Sequence, residues 1–168
     1  MRVKALSQIG MTVGSLKTSI DFYWGHFRLP VIEVMDRPSG VIKEVYGPAD
    51  PTVKMAILRC GWGSFIELFE FSPSGAGREA GPRGPGLTHL TLDVGNVDRA
   101  YRQLTARGVK FLGPPVHEKG AHFVFLKDPD GHLVELIDMG ILYYLNKFFG
   151  RFVGWINMAT RFRNRDSI

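Results

Sequence analysis

Four polar residues stand where a buried strand would be expected to carry apolar ones: Gln8, Glu67, His89 and Glu135. They fall at equivalent places in a duplicated sequence. Gln8-Ile-Gly-Met-Thr-Val-Gly14-Ser15-Leu16 matches His89-Leu-Thr-Leu-Asp-Val-Gly95-Asn96-Val97 position by position, at an offset of 81. Each copy then closes on a strand with a carboxylate between aliphatics, Phe65-Ile66-Glu67-Leu68 and Leu133-Val134-Glu135-Leu136. A repeat of this length implies two copies of one supersecondary unit that pack on each other. Residues at equivalent places then converge, and a Gln, a His and two Glu together are the donor set of a divalent-metal site. A carboxylate held in a buried strand costs several kcal/mol (about that order) unless it is paired or bound to metal. Two of them, each matched with a polar partner, favour a metal over accidental packing.

The elements that must position these residues follow the same duplication. Residues 6–13 alternate, with Ile9, Met11 and Val13 on one face and Gln8, Gly10 and Thr12 on the other. Ser15 is the expected N-cap of a helix with Leu16, Ile20, Tyr23 and Phe27 at helical spacing, which Pro30 ends. Strands are expected at 31–35, 41–46, 53–59 and 64–71. In the second copy a strand at 88–94 leads to an Asn96-capped helix running to Gly108, then to strands near 109–112, 121–127 and 132–138. Asp128-Pro-Asp-Gly131 is a type I turn sequence joining the last two. The organisation is a βαβββ module at 1–73, a Gly/Pro-rich linker at 74–86, a second βαβββ module at 87–138, and a basic amphipathic tail at 139–168.

Composition bounds the class. With 168 residues, 45% of them hydrophobic, the chain can build a real core. The lone Cys60 excludes an internal disulfide framework and fits a reducing compartment, and no apolar run follows Met1, so a cytoplasmic protein is expected. The net charge of +5 is no nucleic-acid signal, because the tail accounts for most of it: Lys147, Arg151, Arg161, Arg163 and Arg165 against Asp166. In that tail Ile141, Leu145, Phe148, Phe152, Trp155, Ala159 and Phe162 recur at alternating spacings of four and three. Lys147 and Arg151 interrupt it, which argues against a membrane span. The helix is expected to dock on its own modules or on a second copy, making a homodimer. Closing over a pocket, or peripheral contact with an anionic membrane, are the other readings.

Gly86-Leu-Thr-His89, Phe125-Leu-Lys-Asp-Pro-Asp-Gly-His-Leu-Val-Glu-Leu136 and the Ser19-Ile-Asp-Phe-Tyr23 helix together resemble the vicinal oxygen chelate superfamily. That superfamily includes glyoxalase I, methylmalonyl-CoA epimerase, extradiol dioxygenases and bleomycin- and fosfomycin-resistance proteins. The resemblance spans roughly residues 5–138. It implies an α+β fold in which the two modules form a cupped, incomplete eight-stranded barrel, followed here by the C-terminal amphipathic helix. It also implies metal ligands at Gln8, Glu67, His89 and Glu135, a set most similar to glyoxalase I, with Zn, Ni, Co or Mn as the ion. Gln8 stands where the dioxygenases need a histidine, leaving an iron facial triad incomplete. Glu67-Leu-Phe-Glu-Phe-Ser-Pro73 departs from the Thr-x-Asn-Trp-Gly-like continuation usual in glyoxalase I, and no basic set is assignable to a glutathione carboxylate.

The implied activity is that of a lyase, isomerase or epimerase acting on a small molecule. It would abstract a proton next to a carbonyl through a metal-stabilised enediolate, with Glu135 as base and Glu67 as the alternative base. The rival readings are a ligand-sequestering protein of the bleomycin-resistance type and a metal-dependent dioxygenase. Among other polar residues, His26 and His132 are expected at the surface, His117, Glu118 and His122 in a solvated loop, and Glu70 exposed or packed at a rim.

Overall fold

Alternating apolar residues produce two four-stranded sheets, each crossed by a helix. The computed structural model describes residues 3, 5–37, 52–61, 63–72, 86–118 and 120–160. In chain order the elements are β1 (Gln8–Thr12), α1 (Leu16–Phe27), β2 (Val31–Arg37), β3 (Thr52–Cys60) and β4 (Ser64–Ser72). They continue with β5 (Leu90–Asp93), α2 (Val97–Ala106), β6 (Val116–Glu118), β7 (Ala121–Lys127), β8 (Leu133–Asp138) and α3 (Ile141–Thr160). The sheets have the orders β1-β4-β3-β2 and β5-β8-β7-β6. In both, the first strand pairs in parallel with the last strand of its module, β1 with β4 and β5 with β8. The repeat read from the sequence is therefore a repeat of topology. The chain forms two units, Met1–Thr88 with Lys127–Leu133, and His89–Leu126 with Val134–Ile168.

In the first unit, Ile66 and Leu68 of β4 and Ala56 and Leu58 of β3 are buried, as are Leu16 and Tyr23 of α1, which packs on those two strands. In the second, Leu90, Leu92, Val124, Leu126, Val134 and Leu136 are buried together with Val97 and Leu104 of α2. Burying each such aliphatic side chain stabilises the fold by about 1.5–3 kcal/mol. Both helices begin as their sequences require. Ser15 accepts from the Thr18 N–H and Asn96 from the Arg99 N–H at 2.8 Å.

One strand expectation needs revision. No strand forms at 109–112, where only Phe111 bridges to Leu126; the paired strand is β6, at Val116–Glu118. The reason lies in Gly113-Pro114-Pro115, since prolines supply no ladder donors and interrupt the edge before it resumes. The strand expected at 41–46 lies outside the described residues, as does nearly all of the 74–86 linker.

The Asp128-Pro-Asp-Gly131 turn forms as expected, with Gly131 N–H donating to the Asp128 carbonyl at 3.1 Å. Its side chains do far more than close a turn. Asp128 is buried, and its Oδ1 accepts from the backbone N–H groups of Asp130 and His132 at 3.0 and 2.8 Å. Its Oδ2 accepts from the Tyr23 hydroxyl at 3.0 Å and from His132 Nδ1 at 2.9 Å. Asp130 accepts from the Gly14 N–H at 2.9 Å and the Ser19 hydroxyl at 3.1 Å. A Cβ on Gly14 would lie 2.9 Å from that Asp130 oxygen, so a side chain there would press on this bond. Glu70 joins from β4, accepting from the Leu16 N–H at 2.6 Å, so it caps α1. Two carboxylates at a helix N-terminus suit both its free N–H groups and its dipole.

Burial first, then the adjacent Asp128 charge, pushes the Tyr23 phenol well above its ordinary pKa and keeps it a donor. Tyr23→Phe, which removes one hydrogen bond to a buried carboxylate, is expected to lower the unfolding free energy by about 1.5–3 kcal/mol. Urea denaturation checks this, and a change below about 0.5 kcal/mol would show that the network does not support the fold.

Candidate metal and acid–base site

The candidate residues alternate with the core residues of their strands. Along β4 the buried Ile66 and Leu68 alternate with the half-buried Phe65, Glu67 and Phe69. Along β8 the buried Val134 and Leu136 alternate with the half-buried Leu133, Glu135 and Ile137. The aliphatic neighbours that make Glu67 and Glu135 look buried in the sequence thus face the core, while the carboxylates face the other way. Their desolvation penalty is partial, not the full cost expected of buried strands.

Register explains why the two copies place their pairs alike. In the first unit Gly10 lies opposite Glu67, and Gln8 precedes Gly10 by two residues on the same face of β1. In the second unit Thr91 lies opposite Glu135, and His89 precedes Thr91 by two residues. Gln8 and Glu67 are therefore diagonal neighbours in one sheet, as His89 and Glu135 are in the other. Gln8 is exposed and Glu67 half-buried.

The second diagonal is closed by contact. His89 Nε2 and Glu135 Oε2 are 3.3 Å apart, with the Glu135 side chain only 13% exposed. Thr91 Oγ1 donates to the same Glu135 oxygen at 2.8 Å. The His89 ring also sits edge-on to Phe125, centroids 5.6 Å apart, which restrains its rotation. The first diagonal lacks this support because its equivalent of Thr91 is Gly10. A Cβ there would come within 3.1 Å of the Phe69 ring. The duplication is thus symmetric in backbone and asymmetric in chemistry, with one glutamate held by a hydroxyl and the other facing a glycine. Thr91 is the residue that sequence reasoning passed over; its place on the His89 face of an alternating strand was the available signal.

The remaining polar residues are disposed differently from expectation. His132 is no surface residue: its side chain is 30% exposed and hydrogen-bonded to the fully buried Asp128 carboxylate. His117 and His122 are paired residues of the β6–β7 ladder, ring centroids 4.6 Å apart, and His117 Nε2 lies 3.1 Å from Asp98. Asp128, Asp130 and His132 bring three candidate metal-ligand atoms within 4.8 Å of one another. Their oxygens already accept from Tyr23, Ser19, Gly14 and the turn's own N–H groups. A cation there would have to displace those donors, so the cluster reads as a hydrogen-bonded latch between the turn and α1.

Two βαβββ modules with matched polar pairs place the chain in a recognisable class. It belongs to the glyoxalase/bleomycin resistance protein/dioxygenase superfamily, whose family model matches residues 5–136. An uncharacterized protein of Bacillus subtilis, YwkD, is 33% identical over 101 residues, covering 58% of this chain and 76% of its own. A lactoylglutathione lyase of Escherichia coli is 23% identical over 130 residues, covering 76% of this chain and 87% of its own. Among solved structures, a glyoxalase family protein from Bacillus cereus superposes with a TM-score of 0.72 at 20% identity, covering 82% of this chain and 95% of that one. The last likeness is one of fold.

The latch carries a pH signature. The hydrogen bond to Asp128 raises the His132 pKa, burial opposes it, and the Asp128 and Asp130 charges add to the rise. A folded-state value above the unfolded one of about 6.5 stabilises the fold fully below that pH and is lost as pH rises through the folded-state value. His132→Asn is therefore expected to lower the melting temperature most near pH about 5.5 and least near pH about 9. Thermal melts of both proteins across this range check it; a difference constant with pH would mean that His132 supports the turn by packing alone.

Proposed function

We propose that this chain is a divalent-metal-dependent isomerase, epimerase or lyase of the glyoxalase kind, which removes a proton next to a carbonyl through an enediolate. Gln8, Glu67, His89 and Glu135 are its metal ligands, with Glu135 as the base and Glu67 as the alternative. The observation that carries this reading is the 3.3 Å approach of His89 Nε2 to Glu135 Oε2. Two atoms that share one ion at about 2.1 Å each lie about 3.0–3.4 Å apart, so the pair fits a metal without rearrangement. Nitrogen and oxygen donors with no thiolate suit Zn, Ni, Co or Mn. Membership of a superfamily that includes lactoylglutathione lyases adds support.

When bound, the ion supplies Lewis acidity to the carbonyl group of the substrate. The protein's own part is to position and to move a proton. Thr91 holds Glu135 Oε2, leaving its second oxygen to accept a proton from a substrate carbon. Glu67, with no hydroxyl opposite it, would act on a proton from its own side. Phe65 and Phe69 beside Glu67, and Phe125 beside His89, give both carboxylates apolar neighbours that reduce competition from water.

Calorimetry with each of the four ions tests the site. Protein purified without chelators is expected to bind one ion per chain, and Glu67→Ala or Glu135→Ala to weaken binding by at least about a hundredfold. Failure to bind any of the four ions sinks the ligand set. Glu135→Gln is expected to keep metal within about tenfold while abolishing turnover, because an amide offers an oxygen but accepts no proton. With any substrate turned over, solvent deuterium should enter at the carbon next to the carbonyl; activity retained in Glu135→Gln would move the base to Glu67.

A further inference from the structure

Helix α3 is amphipathic, and its apolar face is exposed. Ile141, Leu145, Phe148, Phe149, Phe152 and Ile156 are all exposed, Phe148 and Phe152 at 73% and 63%. At 3.6 residues per turn these six fall within about 100° of arc, along a helix about 30 Å long. Among the described residues, docking on the rest of the chain, the simplest expectation from sequence, does not bury this stripe. Nor does it cross a membrane: among the described residues, no helix is long and apolar enough to do so.

We propose that α3 lies on the surface of an anionic phospholipid bilayer, its apolar stripe in the acyl–headgroup boundary. Charge decides between that occupant and a second copy of the chain. The helix carries Lys147 and Arg151 and no acidic residue, and the sequence after it adds Arg161, Arg163 and Arg165 against Asp166. A second copy brings the same net positive helix and tail, with no helix carboxylate to meet Lys147 and Arg151, so charge opposes association between copies. An anionic surface neutralises the same cations while the stripe leaves water. Six large side chains in one stripe also form a contiguous patch of the size that marks an interaction surface.

The test uses the full chain and vesicles of phosphatidylcholine alone or with about 30% phosphatidylserine. Co-sedimentation is expected to show at least about tenfold stronger association with the anionic vesicles, a preference abolished in about 0.5 M salt. The double variant Phe148→Ser/Phe152→Ser should lose vesicle association with its melting temperature unchanged, since both side chains are exposed. Lys147→Glu/Arg151→Glu should lose the anionic preference. No sedimentation with either vesicle, or equal partition into both, overturns the proposal. So does a dimer in sedimentation equilibrium that Phe148→Ser/Phe152→Ser dissociates, since that would assign the stripe to a second copy.

Discussion

The buried carboxylate of Asp128 organises more of this structure than any other single group. An ionised side chain in a protein interior is tolerable only when its lone pairs are matched by donors, because desolvation alone costs several kcal/mol (roughly). Here four donors meet it: two backbone N–H groups of its own turn, the His132 imidazole and the Tyr23 hydroxyl. The last of these comes from a helix 105 residues earlier in the chain. Asp130 extends the tie to Gly14 and Ser19, so one five-residue turn grips the start and the middle of α1. Glu70 grips the same helix from the sheet side. The helix is thereby placed by charge-assisted hydrogen bonds as well as by its apolar face, which specifies its rotation and axial position where packing of Leu16 and Tyr23 alone would allow slippage.

β8 begins one residue after His132 and carries Glu135, so the same turn sets where a proposed catalytic strand starts. The strand's two faces then divide the labour. Val134 and Leu136 supply core, and Glu135 points the other way with partial access to solvent. That separation lets a carboxylate sit in a strand without a full burial penalty and remain able to bind a cation or a proton. The parallel pairing of first and last strands, present in both modules, converts a match in sequence into a match in space: the same diagonal joins Gln8 to Glu67 and His89 to Glu135. Duplication thus yields two similar pairs, and the Gly10–Thr91 difference makes them chemically unequal.

The sequence by itself determined the duplication, the two βαβββ modules, both helix caps and the turn, because these depend on local signals. Alternation with period two, an oxygen-bearing side chain three residues before a free N–H, and Asp-Pro-Asp-Gly are all readable without long-range contacts. It also singled out Gln8, Glu67, His89 and Glu135, since a repeat makes equivalent polar residues stand out against an apolar background. Only the tertiary structure decided the partners. Nothing local links Tyr23 to Asp128, or Leu16 to Glu70, because such bonds form between segments brought together by packing. The placing of the edge strand at Val116–Glu118 also went beyond local reading, as exposed edge strands lack the alternation that burial imposes. The apolar stripe of α3 is the sharpest case: period and composition show that it seeks cover, but cover is a property of what lies beside a helix, and that is written only in three dimensions.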